Sequence, residues 1–106
     1  MLSKKYRLTR NQVNLVYKKG KSRKWGILGV KFLDNRQTFP RFAVVVPQAV
    51  AKKAVQRNRL RRLTYEIIHQ ISKDKELPSR DYVVRYFRMP QEKMLKQLIN
   101  RIFQDV

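Results

Sequence analysis

The chain has few acidic residues and no cysteine. Seven Asp and Glu stand against 26 Lys and Arg in 106 residues. The absence of cysteine excludes disulfides, zinc ribbons and thiol catalysis, and it is typical of a reducing compartment. No apolar run approaches the roughly 18 residues of a membrane span, and no signal-peptide pattern is present. We therefore expect a cytosolic protein whose partner is neither a membrane nor a small molecule.

Groups that could carry catalysis are also scarce. His69 is the only histidine, and no serine or aspartate partner for it is evident. Gly20, Gly26 and Gly29 do not form a glycine-rich phosphate loop. The carboxylates are scattered, which argues against a two-metal nuclease site held by protein side chains. We expect no catalytic residue in this chain, and no metal or cofactor bound by the protein alone.

Positive charge is what the sequence has in excess. The formal charge is +19 at pH 7, and cations interleaved with apolar residues fill the segment from Lys52 to Arg62. That interleaving is typical of a folded helix that carries its charge on particular faces. Such a surface repels itself unless a polyanion binds it, and nucleic acid is the commonest polyanion in a cell. A merely soluble basic protein is the weaker alternative.

The apolar pattern predicts one α+β domain over residues 1–106, with the element order αββαβα. A capping box from Thr9 to Gln12 predicts a helix that ends at Gly20, with that glycine in the left-handed conformation. Val13, Val16 and Tyr17 share one face of this helix. Strands are expected at about 26–33 and 42–46, paired as a hairpin, and at 81–88.

Two further helices follow from the periodicity. The long one begins between 53 and 57 and runs to about 72. Its expected core stripe is Leu60, Leu63, Ile67 and Ile71. Arg57 and Arg61 flank that stripe on one side and Arg59 on the other, and the solvent side carries Asn58, Arg62, Tyr65 and His69. The last helix is expected to begin at Pro90, with apolar pairs at Met94/Leu95, Leu98/Ile99 and Ile102/Phe103.

The segment Arg57-Asn58-Arg59 resembles the RNR motif of the bacterial ribonuclease P protein subunit. Lys53-Ala54-Val55 precedes it and Leu60-Arg61-Arg62-Leu63 follows it, as in that family. Other parts of the chain are colinear with the family: Tyr6-Arg7-Leu8, the helix from Val13 through Tyr17 to Gly20-Lys21, Arg41-Phe42, Glu66, and Arg88-Met89-Pro90. The resemblance covers essentially the full length.

The resemblance implies a mixed sheet packed by helices, with a left-handed βαβ crossover against the usual right-handed rule. It also implies a function. By this resemblance, we expect the protein to be the accessory subunit of an endoribonuclease whose catalytic component is RNA and which removes the 5′ leader from precursor tRNA. The implied partners are that catalytic RNA and precursor tRNA, and the Mg²⁺ ions are held through the RNA.

The resemblance further implies two sets of contact residues. The set facing the catalytic RNA is Lys52, Lys53, Arg57, Asn58, Arg59, Arg61 and Arg62. The set lining a cleft for the single-stranded leader is Arg7, Val13, Tyr17, Lys31 and Tyr86. The chain departs from the family pattern at several positions: Val13 and Lys31 replace aromatic residues, Pro47-Gln48-Ala49 replaces a small residue and two lysines, and Tyr65 replaces an arginine.

Some alternatives stay open at this point. Tyr17 fits a base-stacking position as well as a core position, whereas Phe32 and Phe87 are expected in the core. A ribosomal or other structural RNA-binding protein of similar fold would show the same charge pattern, and would co-purify with ribosomal particles. An independent nuclease is a more distant third reading, and it would require cleavage by RNA-free protein.

Overall fold

The computed structural model describes residues 3–104. Within them the elements are a 3₁₀ turn (Lys4–Tyr6), α1 (Arg10–Lys19), β1 (Lys21–Trp25), β2 (Leu28–Asp34), β3 (Arg41–Val45), α2 (Ala54–Asp74), β4 (Arg80–Tyr86) and α3 (Glu92–Gln104). The predicted order αββαβα is confirmed, with one additional strand, β1. In this part of the chain no helix is long and apolar enough to cross a membrane.

The strands form one mixed sheet in the order β1-β2-β4-β3. β2 is antiparallel to both β1 and β4, and β3 is parallel to β4. The hairpin predicted between residues 26–33 and 42–46 is therefore wrong. β4 lies between those two strands because its residues from Asp81 to Val84 are buried on both faces, which suits a central position. The unit β3–α2–β4 is the expected crossover, and its left-handed sense stays a prediction.

The additional strand β1 pairs with β2 through a two-residue turn at Gly26 and Ile27. Gly26 has φ of 59° at the first turn position, which is the conformation that a type II′ hairpin turn requires and that glycine adopts without strain. All five residues of β1 are exposed. The strand therefore has no apolar alternation, and this is why the sequence pattern did not reveal it.

Helix α1 begins as predicted. The Thr9 N–H donates to Gln12 Oε1 at 2.8 Å and the Gln12 N–H donates to Thr9 Oγ1 at 3.4 Å, completing the capping box. The left-handed conformation predicted for Gly20 is wrong, since its φ and ψ are −79° and 161°. A glycine is required at this position for a steric reason, because a Cβ there would lie 2.5 Å from the carbonyl oxygen of Val16.

The sheet is covered on both faces. On one face α1 packs Val16 against Ala43 and Val83. On the other face α2 and α3 cover the main core. An aromatic cluster lies at its centre, formed by Phe32, Phe42, Tyr82 and Phe103. The two faces therefore differ: one carries two helices and a closed core, and the other carries a single helix.

The buried stripe of α2 is Leu60, Thr64, Ile68 and Ile71. Leu63 and Ile67 are only half-buried, although both pack against the main core, so the predicted stripe is correct at Leu60 and Ile71 and is shifted between them. The helix is rotated so that Thr64 faces the sheet. A polar residue can occupy this buried position because its hydroxyl donates to Leu60 O at 2.7 Å and bonds the Tyr86 hydroxyl at 2.7 Å.

Tyr65 was predicted on the solvent side, and this too is wrong. Its hydroxyl accepts the Val44 N–H at 3.1 Å, and Leu8 N–H donates to Phe42 O at 2.8 Å. These two contacts cover the outer edge of β3, which would otherwise expose unpaired backbone groups. α3 also begins at Glu92, two residues after the predicted Pro90.

Candidate nucleic-acid interface

The first turns of α2 and the residues just before it form what we call the basic surface: Lys52, Lys53, Arg57, Asn58, Arg59, Arg61 and Arg62. All seven are exposed or half-buried. The seven residues predicted to contact the catalytic RNA therefore lie in one accessible region. Its side chains differ in what holds them.

Arg57 is held by backbone carbonyls. Its Nη1 donates to Ala51 O at 2.9 Å and to Lys52 O at 2.8 Å. A cation near a helix N-terminus is unfavourable with respect to the helix dipole, and the two carbonyl dipoles offset that cost. Arg57 therefore fixes the loop between β3 and α2, in addition to presenting its remaining N–H groups to solvent.

Arg59 is held by a carboxylate. Its Nε and Nη2 donate to the two carboxylate oxygens of Glu92 at 2.6 and 3.1 Å. The hydrogen bond from Arg59 and its charge lower the pKa of Glu92, and the pKa of Arg59 is raised in turn. The pair connects α2 to the first turn of α3 across the solvent-exposed surface.

The other arginines of the basic surface are less constrained. Arg61 donates to the side-chain carbonyl of Asn58 one turn earlier. Arg62 is exposed and makes no ion pair or hydrogen bond with residues 3–104. Guanidinium groups on one helix can contact consecutive phosphates, often with two hydrogen bonds each.

A second basic region, which we call the cleft, lies on the sheet face that α1 covers only in part. The cleft has a volume of about 180 Å³. It is lined by Tyr17, Ser22, Arg23, Lys24, Gly29, Val30, Lys31, Val83, Arg85 and Phe87. Four of these residues are cations, two are aromatic and none is acidic, so the lining is positively charged and partly aromatic.

Tyr17 and Lys31 meet in the cleft, as predicted. The Lys31 Nζ lies 5.2 Å from the centroid of the Tyr17 ring, which is a cation–π distance. Tyr17 is half-buried, and its hydroxyl has no protein hydrogen-bond partner within the described chain. Val13, also half-buried, packs in the same α1–sheet cluster. The hydroxyl itself is buried, so it is the ring, beside the Lys31 ammonium, that can stack an unpaired base and place its phosphate near a cation.

Two predicted cleft residues lie elsewhere. Tyr86 is 0% exposed and faces α2, where its hydroxyl bonds Thr64. Because it is packed in the main core, this residue is not placed to contact a leader, and the same burial raises the pKa of Tyr86 to about 12. Arg7 forms a β-bridge with Phe42 at the β3 edge. Bridged residues point to the same face of a sheet, and Phe42 belongs to the main core under α2, so Arg7 lies on the α2 side.

Lys24, Arg85 and Phe87 are among the lining residues that were not predicted for the cleft. Phe87 was expected in the core, yet it is 44% exposed. Lys24 belongs to the strand that the pattern missed. Arg85 carried a usable signal, because it alternates with the buried Val84 and Tyr86 and so had to face away from the main core.

No group of three or more His, Asp or Glu side chains within residues 3–104 could hold a metal ion. Three of the six acids there form ion pairs with arginine: Asp81 with Arg41, Asp34 with Arg80, and Glu92 with Arg59.

The ribonuclease P family model matches residues 2–106. Among solved structures, the chain is similar to the RNase P protein from Thermotoga maritima, with 25% identity, a TM-score of 0.81, and coverage of 94% of this chain and 96% of that one. A Staphylococcus aureus RNase P protein mutant with defective mRNA degradation activity shares the fold at 20% identity, a TM-score of 0.84, and coverage of 96% and 88%.

No curated protein sequence matched the chain. The family match extends over almost every residue, and it includes both the basic surface and the cleft. The chain therefore belongs to the ribonuclease P family, as a protein subunit that functions with an RNA partner.

Proposed function

We propose that this protein is the non-catalytic subunit of its ribonuclease P, with a separate RNA surface on each side of the sheet. The basic surface binds the catalytic RNA, and the cleft binds the single-stranded 5′ leader of precursor tRNA. The reaction is leader removal by the RNA, with Mg²⁺ held by RNA phosphates. The observation that carries the proposal is the cleft itself, where Tyr17 and Lys31 meet on the face opposite α2.

The cleft is suited to single-stranded RNA. A base that is not stacked in a duplex can lie on the Tyr17 ring, and every base has a π-face, so such binding tolerates sequence variation. Leader sequences differ among tRNA genes, and a sequence-tolerant contact is what a general processing enzyme requires. Lys31 and Arg85 would then contact the phosphates on either side of the base.

The basic surface is suited to structured RNA. The helix backbone fixes where its arginines emerge, and hydrogen bonds hold Arg57 and Arg59 in addition, so less conformational entropy is lost on binding than from a flexible basic segment. Arg59 exchanges the carboxylate of Glu92 for a phosphate, whereas Arg62 offers an unoccupied guanidinium. Because the pattern of charges is fixed, this surface recognises one arrangement of phosphates better than others.

The two surfaces lie on one small domain, with a radius of gyration of 12.8 Å. A subunit that binds the catalytic RNA on one side and the leader on the other holds the precursor close to that RNA. Binding of the leader is then an intramolecular step within the assembled complex. Mature tRNA lacks the leader and forms no such contact. The protein would thus favour precursor over product.

Reconstitution tests this proposal. A candidate catalytic RNA, the protein, and both together are each incubated with precursor tRNA at moderate salt and Mg²⁺. We expect cleavage at the leader junction with both components, stronger than with RNA alone, and none with protein alone. Cleavage by protein alone would contradict the non-catalytic role. Co-purification with ribosomal particles, without any effect on cleavage, would favour a structural RNA-binding protein.

A further inference from the structure

The cleft contains two aromatic rings, and each has a lysine ammonium on its face. Lys31 Nζ lies 5.2 Å from the Tyr17 centroid, and Lys24 Nζ lies 4.7 Å from the Phe87 centroid. Both lysines point to the same side of the sheet, because Lys24 pairs with Gly29 and Gly29 is two residues from Lys31. The second pair repeats the chemistry of the first.

Phe87 is held in the cleft by backbone contacts. Its N–H donates to Ile27 O at 2.8 Å, immediately after β4. A Cβ at Gly29 would lie 3.0 Å from Phe87 Cε2, so the ring rests against β2 where the strand has no side chain. Any larger residue at position 29 would push the ring away. The ring nevertheless stays 44% exposed.

The spacing of the two rings suits a nucleotide chain. Phe87 lies over Gly29 and Tyr17 lies beside Lys31, and positions two apart on a strand are separated by roughly 7 Å. Neighbouring unstacked nucleotides of an extended strand can span such a separation. Arg85, which pairs with Gly29, adds a third cation on this face for the intervening phosphate.

We propose that Phe87 and Lys24 form a second base-stacking subsite for single-stranded RNA, next to the subsite of Tyr17 and Lys31. The inference rests on the proposed leader-binding role of the cleft and extends it to a second nucleotide. The base replaces the ammonium on the Phe87 ring, and the freed Lys24 contacts the flanking phosphate. The complex thus gains base stacking and a phosphate contact, and the protein loses its internal cation–π contact.

The protein offers a matched control on the other face of the sheet. Trp25 is 45% exposed and also has a cation on its ring, with Arg101 Cζ 4.4 Å from the centroid. It pairs with Leu28, whose side chain belongs to the main core, so its ring faces α3 and not the cleft. Loss of this ring removes a similar exposed aromatic without touching the subsite.

The test uses the reconstituted holoenzyme and a set of precursor tRNAs, each with one abasic nucleotide at a different leader position. The variants are Phe87→Leu, Phe87→Tyr, Tyr17→Leu and Trp25→Leu, with melting temperatures measured for each. We expect Phe87→Leu to weaken binding of the intact precursor by about five- to fifty-fold, without weakening mature tRNA. Phe87→Tyr should retain affinity, and Trp25→Leu should match the wild type.

The abasic set identifies the nucleotide. In the wild type, two leader positions should be sensitive to loss of the base. Phe87→Leu should remove the sensitivity at one of them, and Tyr17→Leu at the other. If Tyr17→Leu acts on a leader position and Phe87→Leu does not, the second subsite is refuted while the cleft function stands. If neither variant changes leader-dependent binding, the proposed cleft function itself fails.

A general effect on the fold would look different. In that case Phe87→Leu would weaken precursor and mature tRNA equally, or Trp25→Leu would weaken precursor binding to the same extent. Either result would overturn the inference. Retained melting temperature in Phe87→Leu is expected, because its ring is half exposed and buries less area than a core phenylalanine.

Discussion

The basic surface and the cleft are both rich in Lys and Arg, but different neighbouring groups hold these cations. On the basic surface, Arg57 is bound to two carbonyls and Arg59 to a carboxylate. In the cleft, Lys24 and Lys31 lie on aromatic rings. A guanidinium that is already hydrogen-bonded has a fixed position but must exchange a partner to bind phosphate, whereas an ammonium on a ring is displaced at little cost.

This difference fits two kinds of RNA. Fixed arginines favour a partner whose phosphates have one arrangement, such as a folded RNA. Displaceable lysines beside rings favour a strand that is flexible and variable in sequence. Cations that are already paired within the protein therefore add selectivity. A random polyanion would have to displace Glu92 from Arg59 without contacting the whole pattern of charges.

The largest expected contrast is in salt dependence. If the basic surface neutralises about five to eight phosphates, affinity for the catalytic RNA should fall about 10³- to 10⁴-fold between 50 and 200 mM salt. The ratio of precursor to mature tRNA affinity should change less than about twentyfold over the same range, because stacking and two or three phosphates account for it. Binding titrations at four salt concentrations measure both. Equal salt dependence would contradict the division between the surfaces.

Arg57→Ala and Arg62→Ala should separate the fixed from the free arginines. Arg57→Ala removes two hydrogen bonds to carbonyls and should lower the free energy of unfolding by about 1–3 kcal/mol, in addition to weakening RNA binding. Arg62→Ala should weaken RNA binding without changing stability, because Arg62 is exposed and unpaired within residues 3–104. Thermal and urea unfolding check this. Equal stability of the two variants would show that the Arg57 contacts are dispensable.

Tyr86→Phe should show that the second predicted cleft tyrosine is structural. Loss of the hydroxyl removes a buried hydrogen bond to Thr64 and should cost about 1 kcal/mol of stability, with no change in leader recognition. Burial raises the pKa of Tyr86 to about 12. An unfolded phenol ionises near its ordinary value of about 10, so this group stabilises the fold below that pH and its contribution is lost as pH rises toward 12.

An ultraviolet titration of the phenols follows this directly. The wild type should show a step near pH 12 that Tyr86→Phe diminishes, with the remainder of that step coming from Tyr82, whose pKa burial also raises to about 12. If Tyr86→Phe instead reduced discrimination between precursor and mature tRNA, Tyr86 would have to be accessible to the leader and its core assignment would be wrong.

Glu92→Gln should give the smallest effect, a few-fold gain in affinity for RNA. Removing the carboxylate leaves Arg59 free to bind phosphate, and the slope of log affinity against log salt should steepen by just under one. The gain should be larger for unrelated RNA than for the catalytic RNA. Competition binding with a random RNA of equal length measures that ratio, and an unchanged ratio would contradict the role given to the pair.

The same variant has a pH signature. The pKa of Glu92 is lowered in the folded protein, so the ion pair contributes stability above the ordinary carboxyl range and loses it as pH falls through the lowered value. Glu92→Gln should remove this part of the acid dependence. Arg59→Ala is the matched control, because it removes the other partner and should abolish the same acid dependence while weakening RNA binding.

The local features of this fold were readable from the sequence. The capping box at Thr9 and Gln12, the basic helix and the apolar spacing of α3 depend on neighbours within a few residues. The pairing of the strands was not readable, because it depends on which strand is buried on both faces, and that follows from contacts of α1 and α2 with distant segments. β1 gave no signal because its five residues are all exposed.

The sequence predicted the residues of the basic surface better than those of the cleft. The seven residues of the basic surface lie together because they are close in sequence, five on the first turns of α2 and two just before it. The cleft combines residues from α1, β1, β2 and β4, so its membership depended on the sheet order. Tyr86 and Phe87 show the limit: adjacent aromatic residues at the end of β4 point in different directions, and the sequence assigned each to the wrong environment.

The most direct measurement compares precursor and mature tRNA affinities side by side at one salt concentration, for holoenzymes with wild-type protein, Tyr17→Ala and Arg62→Ala. Tyr17→Ala should weaken precursor binding by about 5- to 150-fold, the equivalent of 1–3 kcal/mol of base stacking, and leave mature tRNA unchanged. Arg62→Ala should act on assembly, and saturating protein should restore both affinities. Equal loss for precursor and mature tRNA with Tyr17→Ala would contradict a leader-binding cleft.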